Sequence, residues 1–340
     1  MKFIHLYIDS IGANLRVKDQ IFEVEIYKGK QLQKVEAYAA PQVKSIRLKR
    51  GTTLSIESIH LATKFEVDLL MEDQFGHPLA RVVSPKPNST TRILKAQVLA
   101  SLDPTGLEYV KHWLTQKFRE QQQFLAQSGK HYKSSLQEQI QSFVVLSNLK
   151  IERLAQLKNK DVRLLQQQIR GVEGELSKQY FQLLSAMLPK AYRFDQRNRR
   201  PAVDPFNAFL NYGYGILYNR VESSLFRAGL SPYIGFLHRD GYQFKSLVFD
   251  FIEPYRIAVD RAIFQLFSRK KIKKRCFGLE NNGLQIKKDG KKLIADAFTE
   301  HFEHQKISYQ GKQQTRQQIM RLEAQQLAGE LKQKYFGTYS

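Results

Sequence analysis

The sequence predicts an α+β chain in which a small N-terminal β-rich domain is followed by a larger all-α domain. Short β-branched and aromatic runs separated by turn residues fill residues 1–84. Beyond them the chain becomes rich in Gln, Leu and Lys and poor in Gly and Pro, as long helices are. Between the two lies PKPNSTT, residues 85–91, a polar stretch with two prolines. We therefore expect a β-rich domain at 1–84, a linker at 85–91 and a helical domain at 92–340.

The N-terminal part contains five runs that predict strands: Phe3–Ile8, Leu15–Val17, Ile21–Tyr27, Lys44–Leu48 and Glu66–Met71. Turn residues such as Gly12, Gly29 and Gly51 separate them. Ser55–Lys64 is predicted to be one short helix with Ser55 or Ser58 as its N-cap, because serine side chains satisfy the first backbone N–H groups.

Amphipathic periodicity predicts further helices at Thr105–Gln127, Ser134–Leu157, Asp161–Leu188, Asp204 to about Ala228, and Arg316–Lys334. Pro254 is expected in the first turn of a helix, since a proline further inside would break the hydrogen-bond ladder. That would place Asp250 and Glu253 at a helix N-terminus, where negative charge is favoured. Glu280–Ile294 is expected to be a hairpin that turns at Asp289-Gly290.

The chain carries 54 Lys and Arg against 32 Asp and Glu, a formal net charge of +22. Such a surplus repels itself unless the usual partner is a polyanion, and nucleic acid is the first candidate. An anionic membrane surface is the second, although the Gln-rich helices offer no clear segment with basic and bulky apolar faces. Acidic proteins are a distant third.

Two groups of basic residues are predicted to contact DNA phosphates without reading base sequence. A solvated surface is the usual meaning of a charge run, but the imbalance here extends along the whole chain. The first group lies between two predicted helices, and the second is the densest in the chain. The predicted contacts are Arg193, Arg197, Arg199, Arg200, Lys270, Lys271, Lys273 and Lys274.

Composition also limits the class of protein. Cys276 is the single cysteine, so a disulfide framework and a thiolate zinc cluster are excluded, and a reducing cytoplasm is expected. The N-terminus does not resemble a signal peptide, and no apolar run is long enough to span a bilayer. Motifs of P-loop, dinucleotide-binding, zinc-protease and serine-hydrolase enzymes are missing.

Candidate chemistry is concentrated in Ser231–Arg256, SPYIGFLHRDGYQFKSLVFDFIEPYR. His238 follows an apolar segment, and Asp250 and Glu253 border a second one. Buried carboxylates need a partner or a cation, and carboxylates with an imidazole suit Mg²⁺ or Mn²⁺. Taken singly, His238 could equally be a core histidine and the two acids could complement a helix dipole. Their combination with the high positive charge predicts a metal site on a nucleic-acid enzyme.

A pair of glycines, Gly171 and Gly174, surrounds Glu173 within a helical pattern. Glycine costs a helix about 1 kcal/mol relative to alanine, so close approach of another backbone or of DNA is one interpretation. An ordinary exposed glutamate beside a tight helix crossing is the other.

Three segments closely resemble the CRISPR-associated integrase of spacer acquisition, the first-numbered Cas protein family. They are GVEGELSKQYF (Gly171–Phe181), DPFNAFLNYGYGILYNRVESSLFRAGLSPYIGFLH (Asp204–His238) and SLVFDFIEPYR (Ser246–Arg256). Many relatives have alanines two positions after the GxEG motif and a second acid at the position of Pro254. This chain has Leu176-Ser177 and a proline instead.

The resemblance implies a DNA-cleaving and joining centre with a divalent metal, Mg²⁺ or Mn²⁺. It assigns Glu173, His238 and Glu253 as catalytic and metal-binding residues, and Asp250 as a further candidate ligand. Arg256 falls where the family often has a basic residue and is predicted to contact a phosphate. The implied reaction is attack of a fragment's 3′-hydroxyl on a phosphodiester of the CRISPR repeat.

Family resemblance further implies a homodimer that acts on double-stranded DNA together with the small second-numbered Cas protein, and no membrane association. The N-terminal domain is then expected to serve dimerisation and contacts with DNA and partner. A non-catalytic architectural DNA-binding subunit remains the alternative, with the three candidate residues as structural groups.

Overall fold

A computed structural model of the chain describes residues 4–29, 31–73, 78–82, 90–198, 201–238, 241, 244–280 and 283–337. The chain divides into two compact units, Met1–Pro87 and Asn88–Ser340. Most of the predicted linker, residues 85–89, lies outside the described residues, as do Arg199 and Arg200. The fold class is confirmed, since a β-rich N-terminal unit is followed by a mainly helical one.

The N-terminal unit contains eight strands and one helix among its described residues. They are β1 (Ile4–Ile8), β2 (Asn14–Lys18), β3 (Ile21–Lys28), β4 (Gln31–Ala39), β5 (Val43–Lys49), β6 (Thr53–Leu54), α1 (Ile56–Lys64), β7 (Asp68–Glu72) and β8 (Pro78–Val82). One sheet has the order β1-β5-β7-β8, in which β1, β5 and β7 are parallel and β8 is antiparallel. The other has the order β4-β3-β2-β6.

Apolar side chains from both sheets and from α1 form the core of this unit, with Leu15, Phe22, Ile46 and Leu69 fully buried. Ser55 caps α1 by accepting a hydrogen bond from the Ser58 N–H, as one of the two predicted caps. The five predicted strands are present, while β4, β6 and β8 were not predicted.

The second unit is built from nine helices within its described residues. They are α2 (Thr90–Leu102), α3 (Thr105–Gly129), α4 (Ser134–Gln156), α5 (Val162–Ala186), α6 (Pro205–Arg227), α7 (Ser246–Phe251), α8 (Arg256–Ser268), α9 (Lys288–Thr299) and α10 (Arg316–Phe336). Asp161 and Asp204 cap α5 and α6 through their carboxylates, and Pro205 occupies the first turn of α6. The predicted long helices are confirmed to within a few residues; α2, α7 and α9 were not predicted.

Two small hairpins refine the prediction of an all-α domain. β9 (Phe277–Glu280) pairs with β10 (Gly283–Ile286), and β11 (Lys306–Tyr309) pairs with β12 (Lys312–Thr315). The predicted turn at Asp289-Gly290 is wrong, since both residues lie in α9. Gly290 packs so closely that a Cβ there would be 2.4 Å from the carbonyl oxygen of Cys276.

The predicted position of Asp250 at a helix N-terminus is also wrong. Asp250 lies near the end of the short helix α7, and Glu253 follows in a separate 3₁₀ turn, Glu253–Tyr255, which leads into α8. Pro254 is tolerated in that turn because its missing N–H has no intrahelical partner to lose there.

One aromatic cluster connects these elements around the site. Trp113 of α3 stacks on Phe236 at 6.3 Å between ring centroids and meets Phe251 of α7 edge-on at 5.2 Å. Helix α10 packs against α2 and α6, and its Glu323 accepts a hydrogen bond from the hydroxyl of Tyr255. The turn that carries Glu253 is therefore held from both α7 and α10.

Within the described residues, no helix combines the length and the apolar character needed to cross a bilayer.

Candidate active site

Helix α5 presents Glu173 at the edge of its buried face. Leu165, Ile169, Val172 and Leu176 recur at helical spacing and are buried in the core, so Glu173 lies next to the apolar stripe and is partly buried. The helix is continuous through the glycine pair. A Cβ at Gly171 or Gly174 would meet no described heavy atom within 4 Å, so neither a tight helix crossing nor another described backbone explains the glycines.

Glu253 approaches Glu173 from the turn before α8, and Lys117 of α3 connects the two carboxylates. Lys117 Nζ lies 2.7 Å from Glu173 Oε1 and 2.7 Å from Glu253 Oε2. Ser177, one turn after Glu173, donates to the same Oε1 at 2.8 Å. Arg256 Nε donates to the other oxygen of Glu253 at 2.8 Å. Two acids far apart in sequence thus share one ammonium group.

The charges fix the ionisation of this cluster. Burial alone would raise the pKa of Glu253, but the Arg256 guanidinium and the Lys117 ammonium lower it to about 2. Burial likewise opposes the ionised form of Glu173, and Lys117 outweighs it and lowers its pKa. The two carboxylates in turn raise the pKa of Lys117 in spite of its burial. At neutral pH the cluster therefore consists of ionised carboxylates and cations.

Lys117 was not predicted as a site residue, although the sequence contains a signal for it. On α3 the buried positions Val110, Leu114, Lys117, Gln121 and Leu125 form one stripe at helical spacing. A charged residue within such a stripe is buried only when it has a partner. The pattern indicates a buried ion pair but cannot indicate which acids it meets.

Asp250 organises the segment that carries His238. Its Oδ2 accepts hydrogen bonds from the backbone N–H groups of Phe236 at 2.6 Å and Leu237 at 2.9 Å. Its Oδ1 accepts from the His238 N–H at 3.2 Å and lies 2.6 Å from His238 Nδ1. An ionised carboxylate only accepts, so Nδ1 carries a proton, and in the neutral ring Nε2 is the nitrogen with an acceptor lone pair.

The same segment depends on a glycine and on α5. A Cβ at Gly235 would be 2.5 Å from Ser246 Cβ, so the backbone can approach α7 only without a side chain there. Gln166 and Arg170 of α5 donate to the carbonyl oxygens of Phe236 and Leu237 at 2.7 and 3.2 Å. Burial lowers the pKa of His238, but the hydrogen bond with Asp250 and its charge outweigh this and raise it.

Glu173, His238 and Glu253 all line one cavity of about 780 Å³. Asp250 is 1% exposed and does not line it, because its oxygens face the backbone of the His238 segment. Among the described side chains, no three His, Cys, Asp or Glu groups converge closely enough to hold a metal ion. The Lys117 ammonium takes the place between the two glutamates in this conformation.

Arg197 and Arg256 border the same cavity, held by tyrosines and asparagines of α6. The Arg256 guanidinium lies 5.0 Å from the ring centroid of Tyr214, and the Arg197 guanidinium lies 5.4 Å from it. Arg197 also donates to the side-chain oxygens of Asn207 and Asn211 at 2.6 and 2.7 Å. Both guanidinium groups are therefore held in place at the cavity, and Arg256 also contacts Glu253.

The other predicted basic residues that the structure describes do not line the cavity. Arg193 is exposed, and its Nε donates to the Leu188 carbonyl at 3.3 Å. Residues 269–271 and 273–275 are exposed where α8 ends and the chain continues to β9. Residues 269–271 and 273–275 form a basic surface that is separate from the cavity.

The sequence model described as "CRISPR associated protein Cas1" matches residues 6–300 of the chain. A CRISPR-associated endonuclease Cas1 of Archaeoglobus fulgidus is 29% identical over 97% of this chain and 96% of its own length. A casposase bound to its integration product has a TM-score of 0.78 and 25% identity, covering 99% of this chain and 92% of the casposase chain. A chain of a Cas6-RT-Cas1–Cas2 complex has a TM-score of 0.73 and 21% identity, over 98% of this chain and 35% of that one.

Proposed function

The chain belongs to the Cas1 family, and from that premise we propose that it is a divalent-metal-dependent DNA integrase and endonuclease. In this proposal it inserts captured DNA fragments as new spacers into a CRISPR array. The observation that carries it is the pair of glutamates, Glu173 and Glu253, which share one cation in a cavity lined by His238.

The residues present fit Mg²⁺ or Mn²⁺. Two carboxylates and an imidazole line the cavity, and a cation of this chain, the Lys117 ammonium, already lies between the carboxylates. Glu253 Oε2 is buried, and the Lys117 ammonium lies 2.7 Å from it. Glu173, Glu253 and Nε2 of His238 would hold the metal. When bound, it would polarise the scissile phosphodiester and favour deprotonation of the attacking hydroxyl.

The chain's own residues supply position and charge in this reaction. Asp250 holds the His238 ring through Nδ1 and so fixes which nitrogen acts in the cavity. Arg256 and Arg197 would contact phosphate oxygens as negative charge develops on them. The 3′-oxygen of the fragment forms a bond to phosphorus and loses its proton. The repeat's 3′-oxygen leaves and gains one, so no co-reactant is needed, and water as nucleophile would give cleavage instead.

Phosphate contacts outside the cavity would come from Arg193 and from Lys270, Lys271, Lys273 and Lys274. We propose that they hold double-stranded DNA by charge alone, which agrees with the net charge of +22. A homodimer, the small Cas2 protein as partner and the cytoplasm as compartment complete the proposal. Its support is the family membership, the resemblance in fold to a chain of a Cas1–Cas2 complex, and the single buried cysteine.

The test is strand transfer of a labelled fragment with free 3′-hydroxyls into a repeat-containing plasmid, with Mg²⁺ or Mn²⁺ and with Cas2. Glu173→Gln and His238→Ala are expected to lose joining by orders of magnitude while DNA binding persists. Glu175→Gln is the matched control, because Glu175 lies on the same helix, is 44% exposed and pairs with Lys150 outside the cavity. It should join at the wild-type rate.

One observation favours the alternative of an architectural DNA-binding subunit. Lys117 and Arg256 already neutralise the two glutamates, as they would in a purely structural ion cluster. Tight DNA binding without joining by the wild type, with Cas2 present, would support this alternative and contradict the integrase proposal. Joining at the normal rate by Glu173→Gln would remove Glu173 from the mechanism.

A further inference from the structure

Lys117 occupies the position between the two glutamates although burial of an ammonium group is costly. The residue is 5% exposed, and its Nζ contacts Glu173 Oε1, Glu253 Oε2 and, at 3.1 Å, Ser177 Oγ. Such burial is tolerated only because both acids are present. The lysine is thus part of the cluster and not a surface group that happens to be nearby.

The cluster is electrically balanced before any metal arrives. Glu173 and Glu253 supply two negative charges, and Lys117 and Arg256 supply two positive ones in direct contact with them. A divalent cation would therefore enter a neutral set of groups and would be repelled by the ammonium between its two ligands. Metal binding between these carboxylates requires that Lys117 leaves that position.

The structure also offers a second position for the ammonium group. Gln121 lies one turn further along the same face of α3, lines the cavity and is 2% exposed. Its Oε1 is buried and accepts no hydrogen bond from any described residue. A lysine side chain that swings along α3 by one turn would meet this unused carbonyl oxygen.

We propose that Lys117 is an internal counter-cation that keeps the metal position closed in DNA-free protein. A DNA phosphate then opens this position, because its negative charge attracts both the displaced ammonium group and the incoming metal. The inference rests on the proposed metal-dependent function. Its consequence is that metal and phosphodiester bind cooperatively, so that the centre assembles only on DNA.

The first experiment measures Mn²⁺ binding by the DNA-free full chain, from the electron paramagnetic resonance signal of free Mn²⁺. Lys117→Met is expected to bind Mn²⁺ at least about tenfold more tightly than the wild type, since a unit charge beside the metal is removed. Glu173→Gln added to Lys117→Met should abolish the gain, which locates it at this site.

Lys111→Met is the matched control. Lys111 lies on the same helix, is equally buried at 5% exposure, and pairs with Glu108 at 2.8 Å and the Leu157 carbonyl at 3.0 Å, away from the cavity. It should bind Mn²⁺ as the wild type does. Thermal unfolding of each variant shows whether it is folded, and Lys117→Gln replaces Lys117→Met if that variant is not.

The second experiment measures the effect of DNA on Mn²⁺ affinity in the wild type and in Lys117→Met. A short DNA duplex should tighten the Mn²⁺ affinity of the wild type at least about tenfold, and should tighten that of Lys117→Met much less. Equal or weaker Mn²⁺ binding by the folded Lys117 variants would overturn the inference, as would a wild-type affinity unchanged by DNA. Strand transfer distinguishes the two proposals. If Glu173→Gln loses joining but the Lys117 variants bind Mn²⁺ no more tightly than the wild type, the integrase proposal stands and only the role of Lys117 is removed.

Discussion

Replacing Asp250 by asparagine should destabilise the His238 segment, although the two side chains have nearly the same volume. The carboxylate accepts four hydrogen bonds, two at each oxygen, and three of the donors are backbone N–H groups that cannot rotate. Asparagine replaces one of these oxygens by an NH₂ group. This group donates, so it cannot accept the two hydrogen bonds that the oxygen accepted. At the Oδ2 position the amide nitrogen leaves the N–H groups of Phe236 and Leu237 unsatisfied. At the Oδ1 position it leaves only the His238 N–H unsatisfied, because the ring can change tautomer and accept at Nδ1.

The magnitude follows from that count. A stranded buried donor costs about 1–3 kcal/mol, so one or two cost about 1–6 kcal/mol in the free energy of unfolding. Asp260→Asn is the matched control, because Asp260 is also fully buried but, among the described residues, accepts only from the hydroxyls of Tyr180 and Tyr214. Hydroxyls can rotate and accept from the new amide, and burial already raises the pKa of Asp260. We expect that control to cost less than about 1 kcal/mol.

The assay is urea unfolding followed by tryptophan fluorescence. The chain has a single tryptophan, Trp113, and its ring packs on Phe236 and Phe251 on either side of the Asp250 network. Its emission therefore reports on the segment that the substitution disturbs, and a shift in midpoint at unchanged slope gives the loss of stability. If the two asparagine variants unfold within about 0.5 kcal/mol of each other, the hydrogen-bond argument is refuted.

Three further outcomes are expected. In the folded protein the pKa of Glu253 is about 2, below its ordinary 4.5. The difference in free energy of unfolding between the wild type and Glu253→Gln should therefore be constant above pH 4.5 and shrink as the pH falls towards 2, as measured by unfolding at a series of acid pH values. Gly235→Ala should lower the free energy of unfolding by about 1–3 kcal/mol through contact with Ser246, whereas Gly174→Ala, in open space, should raise it by about 0.5–1 kcal/mol, both by urea unfolding. Each lysine removed from residues 270–274 should reduce the slope of log affinity against log salt for DNA by about 0.9 if it contacts a phosphate, and an unchanged slope would contradict that contact.

Local chemistry was sufficient to predict most helices. Ser55, Asp161 and Asp204 cap the helices that follow them because their side chains satisfy the first N–H groups without any help from the rest of the fold. The strand β4 escaped prediction because its sequence, QLQKVEAYA, is largely polar and exposed. It forms as the partner of β3, so its structure depends on pairing and not on its own burial.

The one predicted turn that proved wrong contains a glycine that is needed for packing. Asp289-Gly290 is a favourable turn dipeptide, but Gly290 serves close approach to Cys276 inside α9. In the site, the family motifs predicted Glu173, His238 and Glu253, which line one cavity, whereas Lys117 belongs to no motif. Its partners lie 56 and 136 residues away, and only the assembled fold brings them within reach.

The bond between Tyr255 and Glu323 also has a consequence for synthesis. The turn that carries Glu253 depends on a helix, α10, that leaves the ribosome some sixty residues later. Chains stalled before residue 316 should leave this turn open to protease, and chains that have released α10 should protect it. A ribosome-bound chain without α10 therefore lacks one of the contacts that hold Glu253 in the cavity.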